Sequence, residues 1–125
     1  LDLLGIGVSA PRDVQEQKVD DLARRTLDLL GTGHELDRAR VRVNSDYDGP
    51  GYGLPTDGMR QAVLLLARLE GILFDPVYSG KALDGLIDLV NRGEFDAAEN
   101  VVFLHTGGSA GLFAYPGVFD LPEHG

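Results

Sequence analysis

The feature of the sequence that most constrains its fold is an alternation of short apolar segments with segments of helical periodicity. Strands are predicted over residues 1–8, 41–43 and 101–104. Helical spacing begins after Pro11, again after Thr56 and again near Ser79. This alternation predicts an α/β fold with an open, largely parallel, twisted sheet and flanking helices. Because no linker or repeat interrupts the 125 residues, we expect one unit, residues 1–125, without an internal boundary.

The predicted helices have recognisable ends. Pro11 suits the start of the first helix, and Gly31 suits the position just past its end. Thr56 or Asp57 can cap the second helix, which Gly71 ends, and Gly93 ends the third. The predicted inward positions are Val19, Leu22, Ala23, Thr26 and Leu30 in the first helix, Met59, Ala62, Val63, Leu66 and Leu69 in the second, and Leu83, Leu86, Ile87 and Val90 in the third.

Charge and composition exclude several classes of partner. The formal net charge of −9 repels phosphate backbones, so we expect no nucleic-acid partner. No run of about 18 apolar residues occurs, so we expect no membrane span. The absence of cysteine fits a cytoplasmic protein. Because the chain enters directly at Leu1 into an apolar stretch, we expect it to be a piece of a longer protein.

Glycine-bearing turns follow the predicted strands, where open α/β sheets bind their ligands. The first turn reads G-x-G-x-x-A from Gly5 to Ala10, which has the shape of a dinucleotide fingerprint. A tight strand-to-helix turn is the alternative. The loop 46–51 resembles the start of a calcium loop, but Pro50 occupies a ligand position, so a surface loop is the alternative. The histidines lack metal-ligand spacing, and we predict no metal site: His34, His105 and His124.

The most informative turn is Thr106-Gly107-Gly108, which follows the most apolar predicted strand. The Thr106 hydroxyl could face a ligand or be structural. Ser79 is a ligand-facing residue or a helix cap, and Lys81 is by default a solvated lysine in the first turn of a helix. Tyr52 and Tyr78 are site residues or core aromatics with satisfied hydroxyls.

Three long motifs resemble the D-cysteine desulfhydrase / 1-aminocyclopropane-1-carboxylate deaminase family of pyridoxal-phosphate enzymes. Residues 52–58 read YGLPTDG, residues 70–82 read EGILFDPVYSGKA, and residues 103–108 read FLHTGG. They occur in the family's order, and residues 112–115 continue the match. The resemblance implies a C-terminal portion of a tryptophan-synthase β-like (fold type II) enzyme, dimeric in its parent form, that acts on a small amino acid with pyridoxal 5'-phosphate.

The resemblance also assigns roles to residues. Tyr52 and Tyr78 match the family's active-site tyrosines, which serve in proton transfer or positioning. Ser79, Thr106 and Gly107 match cofactor-binding positions close to the pyridine nitrogen and the substrate pocket. The cyclopropane-opening deaminases carry Glu and Leu where this chain has Ser79 and Thr106. We therefore expect β-elimination from D-cysteine to pyruvate, ammonia and sulfide, with the cyclopropane deaminase or a cysteate-type lyase as alternatives.

The chain departs from the family in one respect. The family's Schiff-base lysine, its phosphate-binding turn and its substrate-binding serine lie in an N-terminal part that this sequence does not contain. Neither Lys18 nor Lys81 matches that lysine. We therefore expect this chain alone to be inactive and to need the N-terminal segment as a partner. Two further alternatives stay open: a nucleotide-binding module that uses Gly5 and Gly7, and a non-catalytic assembly domain with exposed apolar surface.

Overall fold

The chain contains a short parallel strand pair joined by a helix, followed by two further helices. The computed structural model describes residues 2–97 and 100–120. Its elements in order are β1 (Gly5–Ile6), α1 (Arg12–Leu30), β2 (Val43–Asn44), α2 (Asp57–Glu70) and α3 (Ser79–Asn91), with 3-10 turns at Arg38–Arg40 and Ser109–Ala114. β1 pairs with β2 in parallel, with Gly5 opposite Val43 and Ile6 opposite Asn44. The α/β class is confirmed, because a helix must carry the chain back between parallel strands.

The predicted strand over residues 101–104 is wrong. These four residues form no strand, and the side chains of Val102 and Leu104 are 83% and 76% exposed. Only Phe103 packs inward, where its ring stacks on Phe74 at 5.2 Å between centroids. The physical reason is pairing: a strand needs a neighbour for its backbone groups, and the sheet in the described residues contains only β1 and β2.

Helix α1 has the predicted ends but not the predicted inward face. It follows Pro11, whose φ is −52°, and ends at Gly31 in the left-handed conformation at φ 62°. Val19 and Leu22 are exposed, whereas Asp20 is the one residue that α1 buries. Polar contacts explain this orientation: a Glu16 carboxylate oxygen accepts a hydrogen bond from the Val43 amide at 3.1 Å, which ties α1 to β2.

Helices α2 and α3 build the core that supports the candidate site. The buried cluster consists of Met59, Ala62, Val63, Phe74 and Leu83. The predicted inward positions are confirmed for these helices except at Leu69 and Val90, which lie exposed near the helix ends. At Gly80 the start of α3 packs tightly on α2, because a Cβ atom there would lie 2.8 Å from the Val63 Cγ2 atom and 3.0 Å from the Met59 Cγ atom. The start of α3 is therefore held at a defined distance from α2.

Apolar side chains also remain on the surface. Leu3, Leu29, Val102, Leu104 and Phe113 are the most exposed large apolar residues described. Across residues 2–97 and 100–120, no helix has the length and apolar character that a membrane crossing demands. Of these five residues, Leu3 precedes β1, Leu29 lies in α1, Val102 and Leu104 lie in the 101–104 segment, and Phe113 lies in the C-terminal 3-10 turn.

Candidate active site

Two tyrosines from separate segments meet at the surface. Tyr52 lies in the loop between β2 and α2, and Tyr78 immediately precedes α3. Their hydroxyls are hydrogen-bonded to each other, and their rings meet edge to face with centroids 5.9 Å apart. The side chains are 59% and 47% exposed, so the alternative of core aromatics is wrong. The hydrogen bond to Tyr52 is the main cause that raises the pKa of Tyr78 above 10.0, and it keeps the Tyr78 hydroxyl protonated.

Lys81 lies beneath the loop that carries Tyr52. Its side chain is 0% exposed, so the prediction of a solvated lysine is wrong. The Nζ atom donates hydrogen bonds to the carbonyl oxygens of Asp48, at 2.6 Å, and Gly51, at 3.1 Å. The first turn of α3 faces the loop, which is why the ammonium group is enclosed. Burial lowers the pKa of Lys81, and the lysine holds the loop next to Tyr52.

Asp75, which the sequence motifs did not single out, caps α3. Its Oδ1 atom accepts hydrogen bonds from the amides of Val77 and Tyr78, at 2.8 and 2.7 Å. Its Oδ2 atom accepts from the Ser79 amide at 2.8 Å and from the Ser79 hydroxyl at 2.5 Å. The interpretation of Ser79 as the cap is therefore wrong, because Asp75 supplies the capping oxygens. An Asp-Pro turn directly before a helix was the signal that could have identified it.

The Asp75 carboxyl is buried yet ionised. Burial is the largest influence on its pKa and acts to raise it, but the hydrogen bonds from Ser79, Tyr78 and Val77 together outweigh burial and hold the pKa below 3.8. The residue is 2% exposed, as is Ser79. The Ser79 hydroxyl donates its single proton to Asp75 and accepts a hydrogen bond from the Asp75 amide at 3.0 Å. One lone pair of the Ser79 oxygen is left for another donor.

The turn after residue 104 lies against Asp75. A Cβ atom at Gly108 would lie 2.9 Å from the Asp75 Oδ2 atom, and both Gly107 and Gly108 have positive φ, at 98° and 93°. His105 stabilises the turn: its Nδ1 atom accepts from the Gly107 amide at 3.0 Å, and its ring meets Phe74 edge to face at 4.4 Å. Thr106 is exposed on this turn.

The structure thus connects the predicted site residues through one series of contacts. Tyr52 contacts Tyr78, which precedes Ser79, and Ser79 is bound to Asp75, against which the turn with Thr106 and Gly107 packs. Another tyrosine borders the group, because the Tyr115 hydroxyl lies 3.0 Å from the position of a Cβ atom at Gly53. The catalytic and cofactor-binding roles of these residues stay predictions.

The amides of the first glycine turn, at Gly5 and Gly7, donate hydrogen bonds to the neighbouring strand segment. The Gly5 amide donates to the Arg42 carbonyl at 2.9 Å, and the Gly7 amide donates to the Asn44 carbonyl at 2.8 Å. A Cβ atom at Gly7 would lie 2.8 Å from the Ser45 hydroxyl oxygen. These glycines allow the strands to pair closely and do not present their amides to a phosphate. The structure therefore favours the tight-turn alternative over nucleotide binding.

The loop of residues 46–51, which resembles the start of a calcium loop, binds the ammonium group of Lys81. The Asp48 and Gly51 carbonyl oxygens accept from the Lys81 ammonium group, which takes the place a metal ion would need. Over the described part of the chain, no group of three or more histidine and carboxylate side chains could hold a metal ion. His124 lies outside the described residues.

Comparison with known proteins assigns the family. The model of the pyridoxal-phosphate dependent enzyme family matches residues 6–107. The chain belongs to this family. A 1-aminocyclopropane-1-carboxylate deaminase of Burkholderia cenocepacia is 43% identical over 117 residues, which is 94% of this chain and 35% of the relative. A protein of the same name from Methylobacterium nodulans is 44% identical over 113 residues, 90% of this chain and 34% of the relative.

A solved structure agrees with this assignment. The crystal structure of a 1-aminocyclopropane-1-carboxylate deaminase homologue matches with a TM-score of 0.65 and 34% identity, over 77% of this chain and 28% of that one. The chain spans about a third of the length of the curated relatives it matches. The resemblance read from the three motifs, the fold class and the pyridoxal-phosphate cofactor are thereby confirmed for the family to which this chain belongs.

The residues present fit non-covalent contacts of this pyridoxal-phosphate family with its cofactor. The Ser79 oxygen keeps one lone pair that no donor among the described residues uses, and this lone pair can accept a hydrogen bond. The exposed Thr106 and Gly107 can border the ring. Of the two lysines in the chain, Lys81 donates hydrogen bonds to two carbonyl oxygens and Lys18 lies on the exposed surface of α1.

Proposed function

We propose that this chain is the C-terminal portion of a pyridoxal-phosphate-dependent lyase that acts on a small amino acid, and that the whole enzyme converts D-cysteine to pyruvate, ammonia and sulfide. The observation that carries the proposal is the hydrogen-bonded pair Tyr52–Tyr78 beside Ser79, on the side of the molecule that also presents the Thr106 turn. The family match, over residues 6–107, covers all four of these residues.

Each residue has a definite task in this scheme. The cofactor, when bound, withdraws electrons from the substrate's α-carbon. The Tyr78 hydroxyl, whose pKa is raised chiefly by Tyr52, keeps its proton and can donate it to the departing sulfur. Ser79 offers an oxygen lone pair to the ring, and the Thr106 hydroxyl orients the substrate. Carbon–sulfur cleavage and the uptake of one water then yield pyruvate, ammonia and hydrogen sulfide.

The choice of D-cysteine rests on Ser79 and Thr106. The resemblance places Glu and Leu at these positions in the cyclopropane-opening deaminases. A glutamate beside the ring supplies a full charge and a strong electron sink, whereas a serine supplies a hydrogen bond. Loss of a thiolate demands less of the sink than opening a cyclopropane ring. The hydroxyl pair Ser79 and Thr106 therefore supports β-elimination.

A second candidate is the deamination of 1-aminocyclopropane-1-carboxylate. One observation favours it: the curated relatives at 43% and 44% identity carry that name. The same cofactor and the same tyrosines would serve both reactions, so Ser79 and Thr106 are the residues that separate the two candidates.

The remaining parts of the proposal concern the rest of the enzyme. We propose that the lysine that binds the cofactor lies in the portion of the relatives that this chain does not cover, and that this chain is inactive without it. The partner is then the N-terminal segment of the same enzyme, in a cytoplasmic homodimer. The exposed apolar residues of α1 and of the 101–104 segment support such a partner, because they offer surface to cover.

A hybrid enzyme tests the function. The matching third of the Burkholderia cenocepacia relative is replaced by this chain, and sulfide release from D-cysteine is compared with ammonia release from 1-aminocyclopropane-1-carboxylate. We expect sulfide from D-cysteine as the main activity. Preferential deamination of the cyclopropane would select the second candidate. The double variant Ser79→Glu, Thr106→Leu is expected to shift the hybrid toward the cyclopropane, and no shift would contradict the assignment of substrate to these two residues.

A labelling experiment tests the proposal that neither lysine of this chain binds the cofactor covalently. Pyridoxal phosphate is added to the 125-residue chain alone, borohydride is added, and the labelled peptide is mapped. We expect no labelled lysine on the folded chain. A label on Lys81 would show that the chain carries its own cofactor lysine and would overturn that part of the proposal.

A further inference from the structure

Lys81 and the loop of residues 48–51 together form a cation site within the chain. The Lys81 side chain is 0% exposed, and its Nζ atom lies 2.6 Å from the Asp48 carbonyl oxygen and 3.1 Å from the Gly51 carbonyl oxygen. The shorter distance is typical of a charged N–H donor. Burial is the larger influence on the pKa of Lys81 and lowers it, whereas the charge of Asp48 acts to raise it and favours the ammonium form.

The chemistry of this site suits an ammonium ion better than a metal ion. A calcium ion takes about six to eight oxygen ligands. The loop presents two carbonyl oxygens to the Lys81 Nζ atom, and one of them, at Gly51, also accepts from the Leu54 amide at 3.2 Å. An ammonium group needs only acceptors for its N–H bonds, which two carbonyl oxygens provide.

The two segments that Lys81 connects are the segments that carry the tyrosine pair. Gly51 is bonded to Tyr52, and Lys81 follows Tyr78 within the first turn of α3. The Tyr52 and Tyr78 side chains are 59% and 47% exposed, so the packing of neighbouring side chains holds them only in part. The contact between their hydroxyls therefore depends on how the loop backbone is held against α3.

We propose that residues 48–51 form a binding site for a primary ammonium ion, that Lys81 fills this site with its own side chain, and that the filled site holds Tyr52 against Tyr78. Lys81 is then a positioning residue, which acts on the tyrosine pair through the loop backbone. The ammonium site is independent of the proposed function. Its consequence for catalysis rests on the proposed function, in which Tyr78 donates the proton.

The absence of cysteine from the 125 residues allows the charge at this site to be changed by itself. Lys81→Cys is alkylated in denaturant and refolded, with bromoethylamine to restore an ammonium group or with bromopropane to give a neutral group of the same length. The readout is the nuclear Overhauser contact between the rings of Tyr52 and Tyr78 at neutral pH. We expect this contact in the ammonium form and its loss in the propyl form. Amide exchange of residues 51–53 should be about tenfold faster in the propyl form, a factor that corresponds to one charged hydrogen bond.

The matched control is Lys18→Cys, treated with the same two reagents. Lys18 lies on the exposed surface of α1, so both alkylated forms should keep the contact between Tyr52 and Tyr78. Tyrosine contacts in both alkylated forms of Lys81→Cys, or in neither form, would overturn the inference.

A second variant decides the case in which the propyl form does not fold. Lys81→Ala opens the site to a free ion, and methylammonium should restore the contact between Tyr52 and Tyr78 as its concentration rises. Tetramethylammonium carries the same charge without N–H groups and should not restore the contact. Recovery with both ions, or with neither ion, would overturn the inference.

The hybrid enzyme separates this inference from the proposed function. We expect Lys81→Ala to lower the turnover of the hybrid at saturating substrate, and methylammonium to restore it relative to the unmodified hybrid in the same salt. An active hybrid whose turnover Lys81→Ala leaves unchanged would overturn the positioning role. A hybrid that releases neither sulfide nor ammonia would instead refute the proposed function, and the results on the 125-residue chain would stand.

Discussion

At the scale of single residues, Lys81 shows how far tertiary contacts can change a local expectation. A lysine in the first turn of a helix is normally solvated, and nothing in the neighbouring residues indicates otherwise. The loop of residues 48–51 folds over it and supplies two carbonyl oxygens. Those oxygens lie 33 and 30 residues away in the chain, which is why a local pattern could not reveal the contact.

We predict that Lys81→Met destabilises the chain by about 2–3 kcal/mol, because the two loop carbonyls lose a charged donor, although removal of a buried charge offsets part of that loss. Urea unfolding measures the change, and faster amide exchange in residues 48–52 should accompany it. The control is the exposed Lys18→Met, which should change the free energy of unfolding by no more than about 0.5 kcal/mol. Equal effects of the two variants would contradict the anchoring role of Lys81.

The lowered pKa of Asp75 predicts that the stability of the chain depends on pH. Its pKa in the folded chain is below the ordinary 3.8, so the folded state binds fewer protons than the unfolded state as the pH falls. The stabilisation is complete above about pH 4 and is lost as the pH falls through the lowered pKa. We expect Asp75→Asn to cost about 2–4 kcal/mol at pH 7, where it leaves buried donors without a carboxylate.

The measurement for Asp75 is the free energy of unfolding from pH 7 down to pH 2, for the unmodified chain and for Asp75→Asn. The difference in the free energy of unfolding between the unmodified chain and Asp75→Asn should narrow only below about pH 4. A difference that stays constant over the whole range would show that the pKa of Asp75 is the same in the folded and unfolded chains, which would contradict the lowered pKa.

At the scale of elements, helix ends were predictable and helix faces were less so. Pro11, Gly31 and Gly71 mark boundaries because the backbone conformation of one residue is sufficient to begin or end a helix. The inward face depends on what the helix meets. α1 meets the edge of a two-stranded sheet through Glu16, so its apolar residues Val19 and Leu22 stay at the surface.

The cap of α2 is testable by itself. The Thr56 hydroxyl oxygen accepts a hydrogen bond from the Met59 amide at 3.2 Å. We expect Thr56→Ala to lower the free energy of unfolding by about 1 kcal/mol, because the amide loses its partner. Thr56→Ser keeps the oxygen and should retain most of the stability. Thermal unfolding of the three proteins measures the difference, and a serine variant as unstable as the alanine variant would exclude capping as the cause.

The packing of α3 on α2 depends on the absence of a side chain at Gly80. A Cβ atom at Gly80 would lie 2.5 Å from the Asp75 carbonyl oxygen and 2.8 Å from the Val63 Cγ2 atom. We expect Gly80→Ala to destabilise the chain by about 1–3 kcal/mol, because backbone must move to admit the methyl group. At Gly51 the nearest atom would be at 3.5 Å, so Gly51→Ala is the matched control with a smaller expected effect. The midpoints of urea unfolding compare Gly80→Ala with Gly51→Ala. Equal losses of stability in the two variants would contradict the close packing at Gly80.

At the scale of the whole molecule, the 101–104 segment leaves apolar side chains at the surface. Residues 101–104 have the composition of a buried strand, yet three of the four side chains are exposed. The family relatives are about three times as long as the matched region. Under the proposed function, the remaining portion of the enzyme covers this segment and supplies the strand that pairs with it.

We predict that Val102→Lys leaves the stability of the 125-residue chain within about 0.5 kcal/mol of the unmodified value, because the side chain is already exposed. The same variant should bind at least tenfold more weakly to the N-terminal two thirds of the Burkholderia cenocepacia relative, since a charge would enter a buried contact. Isothermal titration measures the affinity, with Val102→Leu as an apolar control. Equal binding by all three chains would show that this segment is not part of the contact.

The sequence by itself determined the family, the order of the first two strands and the three helices, and the boundaries of the helices. These follow from residues that are close in the chain: a proline before α1, glycines after α1 and α2, and three contiguous motifs. Only the tertiary structure decided that Lys81 is enclosed, that Asp75 and not Ser79 caps α3, and that residues 101–104 form no strand. It also brought Tyr52 to Tyr78 across 26 residues. The physical reason is that burial, charge pairing and strand pairing depend on contacts between distant segments, which local patterns do not contain.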